Sequence, residues 1–242
     1  MKLSVVIPMY NEEMVIKSTL ETLYTTLERD FGDGEYEVIV VSDGSSDSSP
    51  AIAKAFAEEH NSVKAIGYEK NRGKGCAVRT GMLAAKGDFV LFTDSDLAYG
   101  ADILAKVYDL HKKSGADVVI GSRAAKGGGY DGYTFLRKLM SKTYLKVVSI
   151  AAGFSHSDSQ AGLKGFTNEA VHKIFPHCEV DRFAFDLEAL MIADRLKLKY
   201  AELPIKVINH GESKVNPIKD ALNMLGEVRK MKKRIKKLDL SK

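Results

Sequence analysis

The chain has 242 residues, 45% of them hydrophobic, enough to bury a complete core in one domain. Its formal net charge of +4 is mild, and the run Arg229-Lys230-Met231-Lys232-Lys233-Arg234-Ile235-Lys236-Lys237 alone carries more than that excess. A near-neutral body with a local basic tail argues against a nucleic-acid-binding domain, and no apolar stretch approaches the length of a membrane span. Cys76 and Cys178 lack metal-ligand spacing and read as free thiols of a reducing compartment. No charged-then-apolar leader precedes the first strand-like run. The expectation is a cytoplasmic protein, soluble or peripheral on the cytoplasmic membrane face.

In chain order, β-rich runs alternate with amphipathic stretches. The pattern predicts a strand over 3–8, a helix over 12–29, a strand over 36–42 and a helix over 48–59. A strand over 63–68, a helix over 75–85, a strand over 89–93, a helix over 101–113 and a strand over 117–121 follow. Such alternation implies an α/β fold, a mostly parallel central sheet flanked by helices. The rhythm then breaks. A glycine-rich loop over 126–132 has the composition of a flap, a helix spans 135–151, and the chain stays irregular through residue 165. Helices over 168–175 and 185–196, a strand over 199–207 and a basic helix over 217–237 complete the reading. With no internal repeat and no dividing linker, it is one domain over 1–242: a nucleotide-side half over 1–121, an acceptor half over 122–215 and a basic helix over 216–242.

The run Phe89-Val90-Leu91-Phe92-Thr93 ends in Asp94-Ser95-Asp96. Two carboxylates therefore stand at the carboxyl end of a buried strand, where open α/β sheets hold ligands. Hard oxygen donors there suit a divalent cation that keeps part of its shell for the phosphates of a nucleotide. Taken alone, Asp-x-Asp fits a plain acidic loop equally well. The first strand ends Ile7-Pro8-Met9-Tyr10-Asn11-Glu12-Glu13. There proline stops the ladder, Tyr10 offers a face to a base and Asn11 caps the next helix, although an ordinary capped turn has the same composition. Asp43 follows the second strand and can accept from a base N–H or a ribose hydroxyl, and Asp47 caps the helix after it. Asn71-Arg72-Gly73-Lys74-Gly75 is a small-residue turn that brings Arg72 and Lys74 near phosphate or sugar. Val78 stands where a dinucleotide fingerprint needs its third glycine, and no Gly-x-x-x-x-Gly-Lys-Ser/Thr loop exists.

In this order the pieces resemble the family 2 glycosyltransferases, whose nucleotide-sugar-binding fold is called GT-A. The resemblance implies that Pro8, Tyr10, Asn11, Glu12 and Asp43 hold the nucleotide. It further implies that Asp94 lies on the sugar side and that Asp94 and Asp96 bind Mg²⁺ or Mn²⁺, with Asp96 catalytic. Gly121-Ser122-Arg123, Arg137, Ser141, Asp158-Ser159-Gln160-Ala161-Gly162-Leu163-Lys164 and Gly211-Glu212-Ser213-Lys214 resemble the polyprenyl-phosphate sugar transferases. That likeness implies acceptor-phosphate contacts from Arg123, Arg137 and Ser141, with Ser213 and Lys214 closing over the diphosphate. Within the group, Asn71–Gly75 and Arg182-Phe183-Ala184-Phe185-Asp186-Leu187-Glu188 look most like the dolichyl-phosphate β-glucosyltransferases, the mannosyltransferases next. Two departures stand out: Ala98 replaces a glutamine metal ligand of the mannosyl relatives, and Ala161 replaces a cysteine.

The implied reaction is inverting transfer of a hexose, glucose before mannose, from a nucleotide sugar such as UDP-glucose to a polyprenyl or dolichyl phosphate. A phosphate is already charged and needs no general base; a hydroxyl acceptor, as in polysaccharide assembly, requires one. Asp158, Asp186 and Glu188 are the candidates for that base; Asp158 and Glu188 are expected to line the site, with Asp186 orienting them. A non-catalytic nucleotide-sugar sensor stays open if Ala98 weakens the metal site. The last helix, with Met224, Leu225, Val228, Met231 and Ile235 among its basic residues, reads as lying on an anionic membrane, or else as a solvated end or an oligomer contact.

Overall fold

A computed structural model describes residues 1–130, 153, 157–182, 184–208 and 217–240. The expected helix over 135–151, with Arg137 and Ser141, and the residues Ser213 and Lys214 lie outside them.

Each apolar run of the first half becomes a strand whose alternate side chains enter opposite faces of one sheet. These are β1 (Leu3–Met9), β2 (Tyr36–Asp43), β3 (Val63–Tyr68), β4 (Phe89–Phe92) and β5 (Val118–Ser122). Further on come β6 (Gly129–Tyr130), β7 (Lys164–Thr167), β8 (Tyr200–Pro204) and β9 (Lys206–Val207). The helices are α1 (Ile16–Phe31), α2 (Ser49–Glu59), α3 (Lys74–Ala84), α4 (Ile103–Ser114), α5 (Asn168–Ile174), α6 (Phe185–Arg195) and α7 (Pro217–Ile235).

The main sheet runs β3-β2-β1-β4-β7-β5-β8. Leu3, Val5 and Ile7 of β1 pack with Val38, Val40 and Leu91 beneath α1, α2 and α4. Val6 turns the other way and joins Ile39, Val41, Val90 and Phe92 beneath α3, α5, α6 and α7. The result is three layers with a core on each side of the sheet. From β1 the chain steps outward to β2 and β3, then returns to place β4 on the other side of β1. That reversal opens a crevice at the carboxyl ends of β1 and β4, the position where such sheets bind ligands.

The structure departs from the sequence reading in several places. Residues 164–167, where the irregular segment was expected to run through 165 with no strand after it, form β7, antiparallel to both β4 and β5. A lysine and a glycine hid this strand: Lys164 is fully buried, and a Cβ on Gly165 would meet the Phe89 ring at 2.4 Å. The strand expected over 199–207 divides into β8 and β9, and β9 pairs with β6 from the glycine-rich loop. Pro8 does not stop the ladder. Val6 still accepts from the Thr93 amide, but β4 has ended by the level of Pro8, so the missing N–H faces no strand while β1 continues beside β2. Helix α1 starts at Ile16 instead of residue 12, and its N-cap, Val15, makes no side-chain cap. Asn11 instead takes a left-handed conformation with φ 55°, and its Oδ1 accepts from the Ser46 amide at 2.8 Å.

The last helix shows the largest difference. Val228, Met231 and Ile235 are buried against the core, and Arg234 reaches the His177 carbonyl, Glu179 and Glu188. The stripe expected to meet lipid is thus used to dock the helix on the body. What it turns outward is charge: Arg229, Lys230, Lys232, Lys233, Lys236 and Lys237 are all exposed.

Candidate active site

The loops after β1 and β2 are laced together at the rim of the crevice. Asn11 N donates to Ser45 Oγ at 3.0 Å and Glu12 N to Ser49 Oγ at 2.8 Å. Asp47 takes the amides of Glu13 and Ser49, which supports its expected place at the start of α2. Tyr10 projects beside this lacing, 48% exposed, with its ring open to a stacking partner.

Asp43 sits inward of the rim, 3% exposed. Its carboxylate accepts from Tyr68 Oη at 2.7 Å, Asn71 Nδ2 at 2.9 Å, Arg72 N at 2.8 Å and Gly73 N at 2.8 Å. The structure therefore gives Asp43 to the turn entering α3, where Gly73 has φ 114° and leaves no room for a side chain. Arg72 leans away from the crevice toward Asp181 at 3.4 Å, over the Tyr68 ring. Lys74, at the start of α3, points into the site and pairs with Asp94.

Asp94 and Asp96 leave β4 in a tight turn, with Leu97 N bonded to Asp94 O at 3.1 Å and Leu97 held at φ 47°. Two ties hold that turn: Thr19 Oγ1 donates to Ser95 O at 2.6 Å, and Ile208 N to Ala98 O at 2.8 Å. Asp96 is exposed and accepts from Ala98 N at 3.0 Å. Partial desolvation of its carboxylate, then the charge of Asp94, raises its pKa. Glu12 shifts the same way: burial raises it, a Ser95 hydrogen bond opposes, and the charges of Asp96, Asp47 and Asp94 add to the rise. Three carboxylates thus repel one another across this edge, a repulsion that a bound cation relieves. The oxygens suit Mg²⁺ or Mn²⁺. Among the described residues, however, no group of three His, Cys, Asp or Glu side chains is placed to hold a metal by itself. The described residues supply part of a shell, and the Ala98 side chain adds no ligand.

The second half of the chain contributes buried ion pairs. Asp158, fully buried, takes Arg123 Nε at 2.6 Å, Nη2 at 2.8 Å and the Arg123 amide at 3.0 Å. Burial alone would raise its pKa, but these bonds and the guanidinium charge outweigh burial and lower it. Glu188 is equally enclosed, and its oxygens accept from the amides of Glu179 and Val180, both at 2.8 Å, and pair with Arg234. The structure places it as the anchor of α7, a role unlike the site-lining one expected.

Sequence reasoning gave too little weight to two residues. Lys164 is fully buried on β7 and donates to Ala161 O at 2.7 Å and Asp186 Oδ2 at 3.2 Å. Gly162 lies against Asp94, and a Cβ there would fall 2.0 Å from Asp94 Oδ2. An invisible close approach is what a lone glycine in Asp-x-Gln-Ala-Gly signals. Gly162 N also donates to Tyr99 Oη at 3.0 Å, bringing the 158–162 loop onto the acidic rim.

Comparison with known proteins identifies the family. A dolichyl-phosphate beta-glucosyltransferase of Trichomonas vaginalis is 34% identical over 221 residues, covering 87% of this chain and 65% of that protein. The chain thus spans just under two thirds of that relative's length. Proteins of the same name from Drosophila melanogaster and Homo sapiens are 34% and 33% identical, covering 93% and 92% of this chain and 72% of each relative. The crystal structure of glucosyl-3-phosphoglycerate synthase from Mycobacterium tuberculosis with Mn²⁺, UDP and glucosyl-3-phosphoglycerate superposes with a TM-score of 0.69 at 22% identity, covering 98% of this chain and 81% of that one. At that identity the likeness concerns the fold, which is GT-A. A sequence profile described as Glycosyl transferase family 2 matches residues 4–175, and on that match and the curated relatives the chain belongs to glycosyl transferase family 2.

Proposed function

We propose that the protein transfers glucose from UDP-glucose to a polyprenyl phosphate of the dolichyl type, with inversion at the anomeric carbon. The relatives' names support glucose as the sugar and dolichyl phosphate as the acceptor, and UDP as the donor nucleotide follows the sequence resemblance. The observation that carries the choice of a phosphate acceptor is the state of the buried acids. Of the three candidate bases, Asp158 is held by Arg123, Glu188 by Arg234 and two amides, and Asp186 by Lys164, so each is engaged by a cation of the chain itself. An anionic phosphate needs no such base. Its oxygen attacks the sugar's C1 as the bond to the diphosphate breaks, and the bonding electrons leave with the nucleoside diphosphate.

The chain's own residues position this exchange. Tyr10 stacks on the base, Glu12 stands beside Asp94 and Asp96, and Lys74 faces the diphosphate from the start of α3. Asp158 fixes the guanidinium plane of Arg123, a group suited to two-point contact with phosphate. Mg²⁺ or Mn²⁺ held by Asp96, when bound, supplies charge neutralisation for the leaving diphosphate. The reading is tested by incubating the protein with labelled UDP-glucose, Mn²⁺ and either a short polyprenyl phosphate or the matching alcohol. Label in a β-linked lipid phosphate supports it; label on the alcohol alone refutes it.

Asp94 depends on Gly162. Gly162→Ala is expected to displace that carboxylate and lower kcat/KM on the order of 100-fold, with little change in the thermal melt. An active Gly162→Ala enzyme would show that the seat of Asp94 does not matter.

Among the described residues no helix is long and apolar enough to cross a membrane. We assign contact with the lipid-bearing surface to the exposed cations near the end of the chain, acting by charge because Val228, Met231 and Ile235 are buried. Each contributes about 1 kcal/mol near an anionic surface. Sedimentation with phosphatidylserine vesicles is therefore expected at low salt and lost at high salt, and triple charge reversal at Lys232, Lys233 and Lys236 is expected to abolish it. Binding indifferent to salt and to these changes would contradict the assignment.

A further inference from the structure

Among the described residues, two buried side-chain polar atoms have no hydrogen-bond partner, Asp186 Oδ1 and Ser159 Oγ. The carboxylate is the more demanding. An ionised oxygen shut away from water without a donor is costly, and folded proteins rarely leave one so. The buried acids around it are served: Asp43, Asp158 and Glu188 have donors on both oxygens. Asp186 is 6% exposed in the first turn of α6, and only its Oδ2 is engaged, by Lys164 at 3.2 Å. The missing donor has to come from elsewhere.

The surroundings restrict what that donor is. The Asp186 charge acts on Lys74, whose ammonium pairs with Asp94. Asp186 therefore stands within electrostatic reach of the rim that faces the donor diphosphate. Lys164 binds its other oxygen and the Lys74 charge acts on it, so a further cation is repelled; its own charge repels an anion. A neutral hydroxyl satisfies both conditions, donating one proton to a charged acceptor without adding charge.

We infer that Asp186 Oδ1 receives a hydroxyl of the hexose being transferred and so helps select the sugar. This rests on the nucleotide-sugar reading above. Lys164 is the positioning residue, tying Asp186 to the Ala161 carbonyl and thus to the 158–162 loop.

The test is a binding series with the full chain and Mn²⁺, using UDP, UDP-glucose and the UDP derivatives of the singly deoxygenated glucoses. In Asp186→Asn, which keeps an oxygen for Lys164, UDP binding is expected to stay within about twofold while UDP-glucose weakens about tenfold or more. One deoxy donor should bind the natural protein as poorly as UDP-glucose binds the variant, and lose nothing further in the variant. UDP and UDP-glucose weakening together would show a merely structural role. Unchanged donor binding with a collapse in kcat would place Asp186 at the acceptor. Either result overturns the inference. Should the variant not fold, the natural protein still decides: equal binding of every deoxy donor and UDP-glucose refutes it. If UDP-glucose fails to bind the natural protein at all, the nucleotide-sugar reading itself falls and this inference with it.

Discussion

Asp96→Asn is expected to lower kcat by roughly 1,000-fold, the scale typical of removing one preorganised charge from a transition state, with the melting temperature almost unmoved. The two halves of that expectation come from the same geometry. Asp96 is exposed at the rim, outside both packed faces of the sheet, so the core does not rest on its charge. The developing charge on the diphosphate, by contrast, has few other means of relief nearby: Asp94 is already paired with Lys74, and the Ala98 side chain offers no ligand. A pH profile adds a check. Partial desolvation and the charge of Asp94 raise the Asp96 pKa, and burial with neighbouring acids raises that of Glu12. Protons and the cation compete for these oxygens, so the acid limb of activity should lie above the ordinary carboxylate range. Added Mn²⁺ should move that limb to lower pH. An Asp96→Asn enzyme with near-normal kcat, or an acid limb indifferent to Mn²⁺, would remove the rim from the chemistry.

The largest effect on stability is expected from Asp158→Ala. That change removes the carboxylate that takes Nε and Nη2 of Arg123, whose side chain is 17% exposed, and breaks the buried ion pair. Breaking a buried pair by removing one partner costs about 3–5 kcal/mol, or roughly 6–20 °C in melting temperature for a chain of this size. Replacing both partners with apolar residues should recover much of the loss, because both charges are then gone. The pH dependence has a definite sign. The folded pKa of Asp158 is lowered, so its stabilisation is present above the unfolded carboxylate value and fades as pH falls through the folded one. Natural protein and variant should therefore converge in stability at acid pH. A variant as stable as the natural protein at neutral pH would mean that the pair does not hold the acceptor half together.

What the sequence made legible follows from the range over which each signal acts. Strands β1, β2 and β4 were visible because a strand buried on both faces is a continuous apolar run. The acids of the rim were visible because Glu12, Asp43, Asp94 and Asp96 follow those runs directly. Pairings across the fold carry no local signal. Arg123 lies 35 residues from Asp158, Lys164 22 from Asp186, and Glu188 46 from Arg234. Each residue could be read singly as a substrate contact, and only the folded chain shows them holding one another. Strand β7 was hidden for a related reason, since its buried lysine is tolerable only once Asp186 is beside it. The stripe Val228, Met231 and Ile235 illustrates an ambiguity of period: helical spacing of apolar residues predicts an amphipathic face but not what covers it. Here the body covers it, and the membrane reading survives only through the charges on the opposite face.

Crystals of the protein grown with UDP and Mn²⁺ and measured at the manganese absorption edge test the central claim most directly. The account predicts an anomalous peak joining Asp96 to the diphosphate at the carboxyl end of β4, with the uracil beside Tyr10. Bound UDP with no manganese at Asp96, or manganese seated elsewhere in the crevice, would contradict it.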